Sequence, residues 1–330
     1  MAVLVTGGAG YIGSHMLWSL IDAKEDVVVI DRLSTGFEWA LPPEAPFYKG
    51  DIADLELLST IFASHDIDSV IHFAGSVVVP ESVAKPLYYY ENNTAKSRTL
   101  IEAAVNAGVK YFVFSSTAAV YGTPSDSAPV GEMAPLRPES PYGSSKLMTE
   151  IMLRDTAMAH DFTFTILRYF NVAGADINGR SGQSTAGATH LIKVACEAAL
   201  GKRDGVDVYG ADYPTVDGTC VRDFIHVNDL ANAHLKALMR MRLGGGSIVA
   251  NCGYGRGFSV FDVIASVKKV SGNDFPVRIV DRRKGDAVSV IANPAVAFEQ
   301  LEWTPEYDDL SFIVKTSLDW EAHLSRRNLR

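Results

Sequence analysis

Ala2-Val3-Leu4-Val5-Thr6 runs straight into Gly7-Gly8-Ala9-Gly10-Tyr11-Ile12-Gly13, and this junction decides the architecture. The apolar run has strand length, and the turn after it carries both Gly8-x-Gly10-x-x-Gly13 and the wider Gly7-x-x-Gly10-x-x-Gly13 spacing. Glycine has a physical reason to be there. A tight strand-to-helix turn demands positive φ, and a missing Cβ lets a pyrophosphate approach the backbone. The helix that begins at Tyr11 then offers free N–H groups and the positive end of its dipole. Glycine-rich turns alone also serve purely structural ends, so a second signal is needed. It comes about twenty residues on, where Asp31 closes the second apolar run and can accept hydrogen bonds from ribose hydroxyls.

Together these signals predict a Rossmann-type nucleotide site that takes NAD, because Asp31 would repel the 2′-phosphate of NADP. Arg32 could pair with such a phosphate, but with Asp31 at the fingerprint position it is read as a solvated side chain. Working outward, short apolar runs alternate with helical stretches, the pattern of parallel βαβ units. Strands are predicted at Ala2–Thr6, Val27–Ile30, Ser69–Ala74, Tyr111–Ser115 and Thr163–Tyr169, with helices around Tyr11–Ala23, Leu55–His65, Ala95–Ala107 and Pro141–Ala159. The fold class is therefore α/β: a doubly wound parallel sheet over residues 1–173, with a smaller α/β substrate-binding lobe over 174–330. That lobe has Gly-rich loops and Pro214, Pro276 and Pro294 between short elements. The chain is expected to return to the first domain near 224–252, at Phe224–Val227, Asp229–Leu243 and Ile248–Cys252, so the boundary is discontinuous. Gly50-Asp51-Ile52 and Phe73-Ala74-Gly75 sit where strands end, positions suited to adenine and its ribose or to plain turns.

Bulk properties narrow the partners. The chain has 330 residues, 47% hydrophobic and 21% charged, with a net charge of −9. An acidic surface of this kind disfavours nucleic acid and anionic lipid as partners. No signal peptide or apolar run of about 18 residues is visible, which predicts a cytoplasmic protein. Cys196, Cys220 and Cys252 are widely spaced and read as small buried hydrophobes. The eight histidines never show metal-ligand spacing, His72 inside an apolar strand reads as a structural group, and no metal is assigned.

Ser140-Pro141-Tyr142-Gly143-Ser144-Ser145-Lys146 carries the chemistry. Ser140 can cap a helix, Pro141 fits its first position, and Tyr142 and Lys146 then fall one turn apart on one face. A phenol with pKa near 10 needs roughly 4 kcal/mol of phenolate stabilisation to act as a base at pH 7. A nearby ammonium, a nicotinamide cation and the helix N-terminus all work in that direction. Upstream, Ser115-Ser116-Thr117 ends a strand, and Thr117 could hydrogen-bond a reacting sugar oxygen.

With these blocks in order, the sequence resembles the extended short-chain dehydrogenase/reductase family, and within it the bacterial type of UDP-glucose 4-epimerase. The resemblance covers nearly the whole chain and is also carried by Tyr89-Tyr90-Glu91-Asn92-Asn93, Ala118-Ala119-Val120-Tyr121-Gly122 and Arg168-Tyr169-Phe170-Asn171. Later blocks are Tyr213 to Val227 and Arg283-Lys284-Gly285-Asp286. It implies Tyr142 as acid/base, Lys146 as the group that lowers its pKa, and Thr117 in the usual serine position. It further implies NAD-binding positions at Gly7, Gly10, Tyr11, Ile12, Gly13, Asp31, Asp51, Ile52, Phe73, Ala74, Gly75, Asn92, Ser115 and Tyr169, beside Tyr142 and Lys146. Substrate positions are implied at Asn171, His190, Leu191, Tyr209, Arg222, Arg283, Asp286 and Val290, with the arginines at the diphosphate, as a guanidinium fork suits. A homodimer through Tyr88–Val105 and Leu147–Ala159 is implied as well.

Three departures qualify the expectation. Relatives carry a lysine shortly after the Phe-Ala-Gly segment, whereas this chain reads Gly75-Ser76-Val77-Val78-Val79, which predicts weaker cofactor retention. His190-Leu191 stands where many relatives have asparagine and leucine. Val290 stands where some have tyrosine beside the sugar 2-position, leaving volume for N-acetylated UDP-hexosamines. Dehydratases of the family carry Asp-Glu after the threonine; Ala118 and Ala119 lack the groups for water elimination. A net dehydrogenase and a non-catalytic nucleotide sensor remain the other readings.

Overall fold

The computed structural model describes residues 1–124, 126–283 and 286–327. Its first half runs β1 (Ala2–Thr6), α1 (Tyr11–Asp22), β2 (Asp26–Asp31), β3 (Phe47–Lys49), α2 (Leu55–Ser64), β4 (Ile67–His72), α3 (Val79–Ala84) and α4 (Pro86–Tyr89). A π turn (Tyr90–Ala95), α5 (Lys96–Asn106), β5 (Tyr111–Thr117), α6 (Pro141–Ala159) and β6 (Thr163–Tyr169) complete it. Then follow β7 (Asn171–Ala173), α7 (Leu191–Ala199), β8 (Val206–Tyr209), β9 (Val221–His226), α8 (Val227–Arg242) and β10 (Ile248–Cys252). The chain finishes with β11 (Gly257–Ser259), α9 (Val260–Ser271), β12 (Val277–Val280), β13 (Ser289–Val290), α10 (Ala295–Gln300) and α11 (Leu310–Arg327).

Seven parallel strands form the central sheet in the order β10-β6-β5-β4-β1-β2-β3. Side-chain alternation in these strands feeds two cores. Val3 and Val5 of β1 and Val27 and Val29 of β2 join the core under α1 and α8, which also holds Leu17, Leu230 and Leu238. Leu4, Val28 and Ile30 point the other way, into the core of α2, α5 and α6 with Leu58, Leu100 and Leu153. Both faces are covered, so the strands read as continuous apolar runs. Strand order reverses between β1 and β4, and a crevice at the carboxyl end of the strands is the ligand position such a sheet provides.

A second sheet of four strands is built around β9, which pairs antiparallel with β11 and parallel with β7 and β13. A third core packs α7, α9 and α11 around Ile192, Phe224, Val263 and Ile313. Three expectations need correction. Phe224–Val227 returns to the first domain only in part: β9 pairs in the small sheet, while its Ile225 packs in the core under α1 with α8, β10 and Ala297, Leu301 and Trp303. β4 stops at His72, and the Phe73 N–H makes the last bond to β1, at the Thr6 carbonyl, before Ala74 and Gly75 pass under the glycine turn. The helix expected from Ala95 is entered through a π turn.

Candidate active site

The glycine turn is packed to the limit that an absent Cβ allows. Gly7 has φ +71°, and a Cβ on it would lie 2.6 Å from the Ala74 nitrogen, while one on Gly13 would lie 2.2 Å from the Gly7 carbonyl oxygen. The turn thus brings β1, the Phe73–Gly75 segment and the start of α1 into backbone contact. Gly10 at the head of α1 offers no side-chain cap, which leaves the first-turn N–H groups of Tyr11, Ile12 and Gly13 facing the crevice. Asp31 receives the Ala9 N–H at 3.0 Å and the Leu33 N–H at 2.7 Å, and burial pushes its carboxyl up against both. Turn, carboxylate and open helix end fit a dinucleotide. Ile52 is buried under the sheet, Phe73 packs on His234, and the Tyr11 hydroxyl donates to the Gly174 carbonyl. Arg32 is not merely solvated: it binds Asp51 and the Tyr88 hydroxyl, each at 3.3 Å.

Tyr142 and Lys146 lie one turn apart at the start of α6, capped by Ser140, whose hydroxyl accepts the Gly143 N–H. Both side chains are buried. The Lys146 ammonium donates to the Ser115 carbonyl at 2.9 Å and sits 4.8 Å above the Phe114 ring. Burial pushes it down to about 8, with Glu150 acting the other way. Burial also holds the Tyr142 phenol above its ordinary value, and the hydrogen bond from Thr117 lowers it in part. Lowering the phenol to a working base therefore awaits a further positive charge in the crevice. Thr117, at the end of β5, also accepts the Ala119 N–H at 3.1 Å. Ser115 bonds Tyr169 and His234, and His72 bridges Thr6 to Ser97, the structural part its sequence position predicts.

Two groups in this region escaped the sequence reading. Asn93 receives the Ser76 N–H at 2.7 Å and donates to the Ser76 carbonyl and the Ser145 hydroxyl, tying the loop after Gly75 to the catalytic helix. It stands in the π turn, a distortion that often marks functional positions, with Asn92 donating to the Ser76 hydroxyl. Glu150, one turn beyond Lys146, is fully buried and forms a bidentate pair with buried Arg168 at 3.0 and 2.6 Å. Ser116 donates to the same carboxylate, and Arg168 reaches Tyr121, which bonds Asn251 on β10. The network locks α6 to β5, β6 and β10 directly behind Thr117 and Lys146. Ser116, Tyr121 and Arg168 stood in the quoted sequence blocks, but nothing there marked Glu150 as their partner.

The expected substrate residues fall into separate groups. Asn171 pairs with Phe224 across β7 and β9 and donates to the Asp223 carbonyl, while Arg222 on β9 lies beside Val290 on β13. The Arg283 guanidinium stacks 3.5 Å above the Tyr209 ring, and the Asp286 N–H turns back to the Arg283 carbonyl. Lys284 and Gly285 of this motif lie outside the described residues. His190 precedes α7 and contacts Gln183 of its own loop at 3.3 Å, with Leu191 the first helical residue. Asp223, missed in the sequence, accepts N–H groups of Tyr254, Gly255 and Ala292 and is pushed up to about 6 by burial. It clamps the small sheet to the loop after β10. Among the described residues, no three His, Cys, Asp or Glu side chains converge as a metal ion would require, and no helix is long and apolar enough to cross a membrane.

A sequence model of the NAD dependent epimerase/dehydratase family matches residues 3–253. The UDP-glucose 4-epimerase of Azospirillum brasilense is 56% identical over 98% of this chain and 93% of its own. The crystal structure of the Brucella ovis UDP-glucose 4-epimerase in complex with NAD superposes with a TM-score of 0.93 at 42% identity, covering 96% of this chain and 97% of that one. The UDP-Glc/GlcNAc 4-epimerase of Campylobacter jejuni gives 0.86 at 46% identity, covering 98% and 99%. With the glycine turn, Asp31 and the Thr117–Tyr142–Lys146 set in place, the chain belongs to the NAD dependent epimerase/dehydratase family.

Proposed function

We infer that the protein is a UDP-glucose 4-epimerase, interconverting UDP-galactose and UDP-glucose through a 4-keto sugar. The observation that carries this is the placing of Thr117, Tyr142 and Lys146 at one end of the β5–α6 unit beside the glycine turn, together with apolar Ala118 and Ala119 where water elimination would need acids. Tyr142 takes the proton from the sugar 4-hydroxyl and returns it, and Thr117 holds the same oxygen. Lys146, fixed on the Ser115 carbonyl one turn along α6 from Tyr142, is assigned to lowering the phenol and to the cofactor ribose. NAD, which the glycine turn and Asp31 would hold, would supply reversible hydride acceptance at the sugar C4 and a positive charge that favours the Tyr142 phenolate. Arg222 and Arg283 are assigned to the diphosphate and Asp286 to the uridine ribose. Asn171, Tyr209, His190, Leu191 and Val290 complete the substrate contacts, the last leaving room at the sugar 2-position. The 46% identical relative whose name includes GlcNAc favours tolerance of N-acetylated substrates.

Incubation with UDP-galactose tests the reading: UDP-glucose forms with no net NADH. Product absent even with added NAD removes the assigned substrate, and steady NADH release revives the dehydrogenase reading. A homodimer is proposed through α6 and the α4–α5 region, where Met148, Ile151 and Leu87 are exposed apolar side chains. Light scattering giving a monomer mass at micromolar concentration would refute it.

A further inference from the structure

Sheet order gives meaning to one surface contact. β4 and β2 flank β1, so a link from the residues after β2 to those after β4 spans the carboxyl end of β1 and the glycine turn beyond it. Such a link exists. Arg32, the residue after β2, donates from one nitrogen to the Tyr88 hydroxyl on α4 and from another to the Asp51 carboxylate. The Ser76 hydroxyl reaches the same Tyr88 oxygen, and Lys96 at the head of α5 grips Asp51 at 2.5 Å. Each tie adjoins a residue of the cofactor site: Arg32 follows Asp31, Ser76 follows Gly75, and Asp51 precedes Ile52. The backbone is also constrained here, since Leu33 has φ +60°, a region non-glycine residues seldom occupy, and its N–H is fixed on Asp31.

We propose that Arg32, held between Tyr88 and Asp51, is a strap over the adenosine end of the crevice that sets how fast NAD leaves. It supplies retention at a site where Val77 brings no charge. The proposal rests on the NAD reading of the crevice. Because Asp51 and Tyr88 occupy the guanidinium, Arg32 is also withheld from a 2′-phosphate, consistent with Asp31 as the ribose acceptor.

The test loads the full-length protein with isotope-labelled NAD, chases with unlabelled NAD, and follows the bound label by mass spectrometry. Arg32→Ala is expected to speed release by about two- to fivefold, the range of a half-exposed ion pair, and Tyr88→Phe, which removes a single oxygen, by somewhat less. The double variant should release no faster than Arg32→Ala, because both changes cut the same link. Raised salt should speed release from the wild type more than from Arg32→Ala. Equal release rates for the wild type and both single variants overturn the strap. A protein that never retains labelled NAD but epimerises UDP-galactose once NAD is added overturns the strap alone, and one inactive even with added NAD overturns the reading it rests on.

Discussion

In the large sheet, the residues that shape the cofactor crevice sit at strand ends and at the head of α6 within short stretches of chain: Gly7 to Gly13, Asp31, Phe73 to Gly75 and Ser140 to Lys146. In the small sheet, Asn171 meets Phe224 and Arg222 meets Val290, pairs joined across 53 and 68 positions by strands two to six residues long. The first region encodes its geometry locally, through period and turn chemistry. The second encodes it through tertiary pairing. The proposed assignment gives chemistry to the large sheet and substrate choice to the small one, so the two should respond differently to mutation.

The sharpest separation comes from Tyr142→Phe, which keeps shape and burial but removes the proton carrier. It is expected to lower kcat by about 10²–10⁴-fold with NAD content unchanged, because the lost interaction is general acid–base catalysis. A kcat within twofold of wild type (about 0.4 kcal/mol) would take Tyr142 out of the reaction. Val290→Tyr works on the other region. Filling the volume beside β9 should reduce kcat/KM for UDP-N-acetylglucosamine by about ten- to a hundredfold, leaving UDP-galactose nearly untouched. Parallel losses on both substrates would show that Val290 does not face the sugar.

The smallest expected effect is a pH signature at the clamp of the small sheet. Asp223 titrates at about 6, above its usual 3.8, because burial disfavours the carboxylate more than its three N–H donors favour it. An acid whose folded pKa is raised contributes stability that is complete below the unfolded value and is lost as pH rises toward the folded one. Asp223→Asn should therefore start less stable than the wild type, having turned one acceptor into a donor, and gain on it between pH 4 and pH 6. Denaturant midpoints that keep a constant gap over this range would contradict the assigned titration.

Legibility in the sequence follows the same division. β1 and β6 lie where the apolar runs put them, and α6 begins at Pro141 because Ser140 and Pro141 are local start signals. The crevice could be read because glycine spacing and Asp31 are tied to one βαβ unit. Asn93 could not be read, because its partners Ser76 and Ser145 lie 17 and 52 residues away. The π turn beneath it has no compositional mark. That β9 pairs in the small sheet while its Ile225 packs in the large core has no mark in the sequence, because an apolar strand looks alike whichever neighbour it takes, and β7, β11 and β13 are too short to announce themselves. Arg32 looked solvated because Tyr88 and Asp51 reach it only after the sheet has assembled.

A redox-neutral epimerase is tested most directly by supplying UDP-galactose to the purified protein without added cofactor and following UDP-glucose and NADH absorbance together. The expected result is UDP-glucose accumulating to a fixed ratio while free NADH stays flat, the behaviour of a redox-neutral cycle with retained NAD. UDP-galactose left unchanged, with and without added NAD, would contradict it.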